Sequence, residues 1–264
     1  MERPVQIPVA GVELPGMLYL PEADAGARPA VLLCDAFADE RKAACLAMVR
    51  LARALAARGF PVLRFDYRGC GDGPGDFRDA TVSTRLEDIA VAAECLKAEA
   101  GRSRLALGGM RLGAALAARA AQGRADVCAL VLLEPIADGR AYVDGQVRRK
   151  LVRQMMTAGR AAGHEEADAV DLDGYALGRT ALGELRELGL AGARFEGPVL
   201  IVQVSFNEAV RRETEAARAA LQAGGARTDL ITLVLPPFWS RIDLVDTDAL
   251  DDAVGRWLQD AAAQ

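Results

Sequence analysis

Leu105-Ala106-Leu107-Gly108-Gly109-Met110-Arg111-Leu112-Gly113-Ala114-Ala115 is the stretch on which the fold turns. An apolar run enters a glycine-flanked turn, and an alanine-rich helical pattern follows at once. A chain that passes this tightly from strand to helix needs glycine where backbones approach closely. Gly109 and Gly113 stand at those two places. Strand, tight turn and helix make the setting of the nucleophile elbow, Gly-x-Ser-x-Gly, and here Arg111 occupies the nucleophile position.

The same rhythm extends to both sides. Short, wholly apolar runs at Ala30–Cys34, Pro61–Phe65, Leu105–Leu107, Val127–Leu133, Val199–Val204 and Leu230–Leu235 read as strands buried on both faces. A parallel sheet covered by helices requires such strands. Helical periodicity fills the gaps over about Ala43–Arg58, Val82–Ala100, Leu112–Ala121, Arg211–Ala223 and Asp248–Ala262. Thr81 or Ser83 can cap the second helix, and Gly59 and Gly101 stand at C-cap places. Ahead of Pro29, Val5, Ile7 and Val9 alternate with polar residues, and Met17–Leu20 follows a glycine-containing turn, which predicts an antiparallel hairpin. Gly139–Leu190, rich in Arg, Gly and Asp, breaks the rhythm with two or three helical stretches and no sheet strand. These readings predict one α/β domain over residues 1–264, with a mainly parallel central sheet and helices on both faces. An N-terminal antiparallel hairpin opens it, and a helical cap insertion at about 139–190 lies over the carboxyl ends of the strands.

Composition narrows the class. With 264 residues, 52% hydrophobic and 26% charged, the chain can build a full-sized core and is neither disordered nor fibrous. No apolar run reaches the roughly 18 residues of a membrane span. Arg3, Pro4 and Pro8 ahead of the first strong apolar stretch do not suit a signal peptide, so a soluble cytoplasmic protein is expected. The net charge of -5, without a basic block, argues against nucleic acid as a partner. Cys34, Cys45, Cys70, Cys95 and Cys128 lack CxxC spacing and read as reduced core thiols. No His/Cys cluster has metal spacing, and Gly69–Gly75 lacks the Lys-Ser/Thr of a phosphate loop, so neither metal nor cofactor is expected.

Several further stretches join the turn at Gly109–Gly113. They are Phe37-Ala38-Asp39-Glu40, Gly69-Cys70-Gly71-Asp72 with Gly75-Asp76-Phe77, Glu134-Pro135 with Gly139, Gly174-Tyr175, and Pro237-Phe238-Trp239. On these residues the chain resembles the α/β-hydrolase superfamily. Within it, the chain is most similar to the group named exosortase A system-associated hydrolase 2, a serine-aminopeptidase-like branch. The resemblance covers nearly the whole chain. That group also tends to carry Arg in the elbow and a Phe-Trp pair near the last strand. The chain departs from it at Cys34-Asp35, where a His-Pro pair is more usual.

A hydrolase of this fold needs a nucleophile at the elbow, a histidine after the last strand and a carboxylate after the strand before it. Arg111 is no nucleophile, because its guanidinium stays protonated. Pro236–Ser240 holds no histidine, and Ser205–Glu208 offers only Glu208. The one histidine of the chain, His164, lies in an acidic stretch of the insertion and reads as a surface residue. Cys70, on the glycine-rich loop, and Cys34, at a strand end, are weak alternative nucleophiles, with Arg111 or Arg68 near enough to favour a thiolate. Both read first as structural thiols. The binding surface expected around Arg111 is made of Ala36, Phe37, Glu40, Leu112, Glu134, Phe238 and Trp239. Glu40 is its first expected ion-pair partner and Glu134 its second.

Three functions are compatible with this reading. One is a catalytically degenerate hydrolase acting as a binding or accessory protein for a small carboxylate, acyl or peptide ligand. Another is a hydrolase or acyltransferase, esterase- or thioesterase-like, that uses Cys70 or Cys34. The third is an interaction protein whose insertion forms a partner surface, with a homodimer left open.

Overall fold

The computed structural model describes residues 1–22, 28–156, 169–172, 174–241 and 243–262. The alternating N-terminal segment closes a hairpin of β1 (Glu2–Val9) and β2 (Val12–Tyr19), antiparallel from Glu2↔Tyr19 to Val9↔Val12. The apolar runs become β3 (Ala30–Cys34), β4 (Val62–Phe65), β5 (Leu105–Met110) and β6 (Val127–Leu133). Helices α1 (Ala38–Ala57), α2 (Val82–Ala100) and α3 (Leu112–Ala120) connect them. Residues 139–190 contribute α4 (Gly139–Met156), a separate antiparallel pair of β7 (Ala169–Asp171) and β8 (Ala176–Gly178), and α5 (Arg179–Glu187). Strands β9 (Pro198–Ser205) and β10 (Arg227–Val234), with α6 (Arg212–Ala223) and α7 (Asp248–Ala262), complete the order.

The eight-stranded sheet runs β1-β2-β4-β3-β5-β6-β9-β10. Its strands pair in parallel from β4 to β10, and β2 joins β4 antiparallel. This is the α/β architecture that the continuous apolar runs require. Alternate residues of β3 show why. Leu32 and Cys34 pack with Ile89, Leu96 and Leu116 of α2 and α3, whereas Val31 and Leu33 pack with Leu51, Leu55 and Val254 of α1 and α7. Both faces of each central strand are therefore covered.

The structure departs from the sequence reading in several places, among them β10, an edge strand that starts at Arg227 and has no fully buried residue. Helix α1 begins at Ala38, ahead of the expected Ala43, because Asp39 and Glu40 in its first turn suit the positive end of the helix dipole. Strand β5 continues through Gly108 and Gly109 to Met110, since Gly109 still pairs with Cys34 and Met110 with Leu133. The insertion carries a small sheet of its own. Thr81 alone caps α2, its hydroxyl accepting from the Thr84 amide at 3.0 Å, while the Ser83 amide donates to Glu184 of α5 at 2.7 Å.

Candidate functional site at the carboxyl ends of the strands

Arg111 is the one residue between β5 and α3, and its backbone is strained, with φ 56 and ψ -117. L-residues avoid this region, so the surroundings must hold it there. Its amide donates to the Leu133 carbonyl at 2.8 Å. A Cβ at Gly109 would lie 2.3 Å from the Gly113 carbonyl oxygen, and one at Gly113 would lie 2.2 Å from the Cys34 carbonyl oxygen. Both glycines are thus required by backbone contact. Ala38 and Glu134, just past β3 and β6, share the positive φ, at 53 and 50. Three neighbouring strands therefore end in strained turns that surround one point.

Charges converge on that point. Glu40, in the first turn of α1, accepts from Arg111 Nε at 3.3 Å and Nη2 at 3.1 Å through Oε1. Its other oxygen accepts from the Tyr142 hydroxyl of α4 at 3.0 Å. Glu134 Oε2 lies 4.0 Å from Arg111 Nη1. Arg211, at the foot of α6, grips Glu134 with its Nη2, and the Val204 amide donates to Glu134 Oε1 at 2.5 Å. Arg149 Nη2 of α4 stands 3.7 Å from Glu40. The result is an alternating chain, Arg149, Glu40, Arg111, Glu134, Arg211, buried at its centre and solvent-facing at both ends. Burial pulls the Arg111 guanidinium downward, but Glu40, Tyr142 and Glu134 outweigh it and hold it above the usual arginine range. Burial, with the Glu40 charge adding to it, also keeps the Tyr142 phenol protonated well past its ordinary range.

The short turn at Phe238–Ser240, beyond β10, closes the other side. Phe238 and Trp239 are buried and stack edge to face at 5.5 Å. The Trp239 ring lies 5.4 Å from the Arg111 guanidinium carbon, and the Tyr142 ring 5.8 Å. Arg111 is thus held between two carboxylates and two aromatic faces.

The residues expected around Arg111 divide into two groups. Glu40, Glu134 and Trp239 touch its head group. Ala36, Phe37 and Leu112 are buried in the packed core instead. Glu208 is exposed, and His164 lies outside the described residues. Tyr142, Arg149 and Arg211 were not foreseen. Gln203 is the one signal that could have pointed to Arg211: a polar residue in the apolar β9, its Oε1 accepts from the Arg211 amide at 2.8 Å and from Thr214 at 2.7 Å. Among the described residues, no three metal-ligating side chains converge.

The cysteine neighbourhoods also need correction, and Cys45, expected as a core thiol, is exposed. Arg68 does not serve Cys70, because its guanidinium goes to Asp88 at 2.7 Å and Glu87 at 2.6 Å. Arg111 is engaged with Glu40, and the cation on Cys70 is Arg85, whose Nη2 lies 3.1 Å from the sulfur. Cys34 is wholly buried. Burial pushes its thiol up to about 12, with the Asp35 charge adding and a Tyr67 hydrogen bond opposing.

A parallel sheet with helices on both faces, an N-terminal antiparallel hairpin, and a strained strand-to-helix turn at its carboxyl edge define an α/β hydrolase. The serine aminopeptidase, S33, family matches residues 27–170, more than half of the chain, and the chain belongs to that family. Two uncharacterized proteins of Mycobacterium tuberculosis are each 37% identical over 127 residues, a match that covers 47% of this chain and 42% of theirs. The chain therefore matches less than half the length of these relatives. Among solved structures, Est1E from Butyrivibrio proteoclasticus with ferulic acid bound superposes with a TM-score of 0.69 at 20% identity, covering 98% of this chain and 100% of that one. A proline iminopeptidase from Mycobacterium smegmatis gives a TM-score of 0.69 at 14% identity, covering 99% of both chains. At these identities the likeness is one of fold. Among the described residues, no helix is long and apolar enough to cross a membrane.

Proposed function

We propose that this member of the family is a non-catalytic, accessory binding protein in which an internal ion pair occupies the place of the catalytic centre. The observation that carries the reading is the Arg111 guanidinium, held 3.1 Å from Glu40 at the elbow itself. A nucleophile at that position would have to be activated by a base. The position instead carries a permanent cation whose Nε and Nη2 already donate to Glu40. Trp239, from the loop where a catalytic histidine is expected, lies against the same guanidinium. Loss of triad members lowers turnover by roughly 10⁴–10⁶-fold, so the surviving use of such a centre is recognition or structure.

On this reading residues 139–190 form a cap on a single domain, and the ligand is a small carboxylate, acyl or peptide group met at the cap's rim. Arg149 and Arg211, with side chains 56% and 41% exposed, are the cations that face solvent there. The resemblance to exosortase-associated hydrolases extends the proposal to a cytoplasmic role in surface-protein sorting or exopolysaccharide production. The cysteine alternative has less support, since Cys34 is buried with its thiol pushed up and Cys70 lies against Arg85. The test is a fluorophosphonate probe together with a panel of p-nitrophenyl esters. No serine labelling and background hydrolysis are expected, and stoichiometric labelling of any serine overturns the reading.

A further inference from the structure

Arg85 presents an anomaly on the opposite face of α2 from solvent. Its side chain is almost wholly enclosed, at 3% exposure. Three rings surround its guanidinium carbon: Phe37 at 5.1 Å, Tyr67 at 5.0 Å and Phe77 at 5.9 Å. Among the described residues, no carboxylate lies within 4.0 Å of it, and the charge of Asp88 is felt only from further off. Asp88, one turn along α2, gives its oxygens to Arg68, to Nε at 2.7 Å and to the backbone amide at 3.0 Å. A buried cation without a carboxylate in contact is only partly neutralised, and ring faces answer that need only in part. The polar atom that Arg85 does meet is Cys70 Sγ, 3.1 Å from Nη2. A thiol sulfur is a weak acceptor, so this hydrogen bond is weaker than one to a carboxylate oxygen.

We propose that Cys70 is an oxidative modification site for hydrogen peroxide, and that Arg85 holds the resulting sulfinate. In the first step the sulfur attacks one peroxide oxygen and the O–O bond breaks. The thiol is oxidised by two electrons to sulfenic acid, and the other oxygen leaves as water. A second equivalent of peroxide repeats the exchange and yields sulfinic acid, whose proton passes to solvent. The sulfinate then brings one negative charge, shared over two oxygens, into contact with a guanidinium whose nearest carboxylate, Asp88, is bonded to Arg68. Access runs through the loop Gly69–Gly75, where Cys70 is 8% exposed and flanked by Gly69 and Gly71, both at positive φ. This inference does not rest on the reading of Arg111.

The experiment uses the full chain carrying Cys45→Ser, which removes the exposed thiol. It is treated with hydrogen peroxide and followed by peptide mass spectrometry. Cys70 is expected to gain one and then two oxygens about tenfold faster than Cys34 or Cys128. In Arg85→Met the second addition should slow by a similar factor, and Arg85→Lys should restore part of it. If Arg85→Met does not fold, the competition among Cys70, Cys34 and Cys128 in the parent decides alone. Cys70 oxidising no faster than Cys34, or a folded Arg85→Met protein reaching sulfinate at the parent rate, overturns the proposal.

Discussion

Replacing Arg111 with methionine tests whether the elbow is held by an ion pair. The side chains of Arg111 and Glu40 are 15% and 8% exposed, so the substitution leaves Glu40 out of water with the Tyr142 hydroxyl and with Arg149 3.7 Å away. Removing one partner of a buried pair costs about 3–5 kcal/mol. The remaining Tyr142 hydrogen bond and the half-exposed Arg149 bring the expectation to the lower end, about 3 kcal/mol. Glu40→Gln should cost about 2 kcal/mol, because Arg111 keeps only Glu134, 4.0 Å away, as an anionic neighbour. The double variant strands no charge at Glu40, so the two costs should not add, and a coupling of about 2 kcal/mol is expected. Arg111→Gly separates the backbone from the side chain. At φ 56 glycine is unstrained, and it should be about 1 kcal/mol more stable than Arg111→Ala. The assay is denaturant unfolding with midpoint and slope fitted for each protein. A coupling below about 0.5 kcal/mol would show that Arg111 and Glu40 are independent, and the ion-pair account of the elbow would fall.

Two further outcomes are expected. Gly113→Ala should destabilise by several kcal/mol, on the order of 3 or more, or fail to give soluble protein, because its Cβ would stand 2.2 Å from the Cys34 carbonyl oxygen; a wild-type midpoint would refute the close-approach argument. The Asp251 carboxyl, on α7, is raised to about 7 by burial and the Asp248 charge, against Arg50 and Arg58. The folded state therefore binds more protons than the unfolded one between the ordinary aspartate range and pH 7, and stability falls as pH rises through that window. Asp251→Asn should flatten this decline and stabilise the protein at pH 8 by roughly 1–2 kcal/mol after allowance for solvent screening. Parallel stability–pH curves for the two proteins would refute it.

Much of the architecture was legible without coordinates. Continuous apolar runs such as Ala30–Cys34 and Val127–Leu133 mean burial on two faces, and only a helix-covered sheet supplies that. The elbow was legible because close backbone approach restricts Gly109 and Gly113 to one residue type. Element edges were less so. Gly108 and Gly109 look like a turn, yet the β3 and β6 ladders on either side keep them in the strand.

The sequence by itself decided the strand-helix alternation, the antiparallel opening and the presence of a cation at the elbow, since these follow from local pattern and side-chain chemistry. What meets that cation was decided only by tertiary structure. Glu40, Tyr142, Glu134, Arg211 and Trp239 come from five separate segments, and no periodicity links them. The parallel sheet brings their strand ends to one edge, where a guanidinium withdrawn from water must be neutralised by whatever the chain places there. The same holds for Arg85. Its position on α2 suggests an ordinary helix residue, and only the folded structure shows that Arg68 has taken Asp88 and left Arg85 with a thiol.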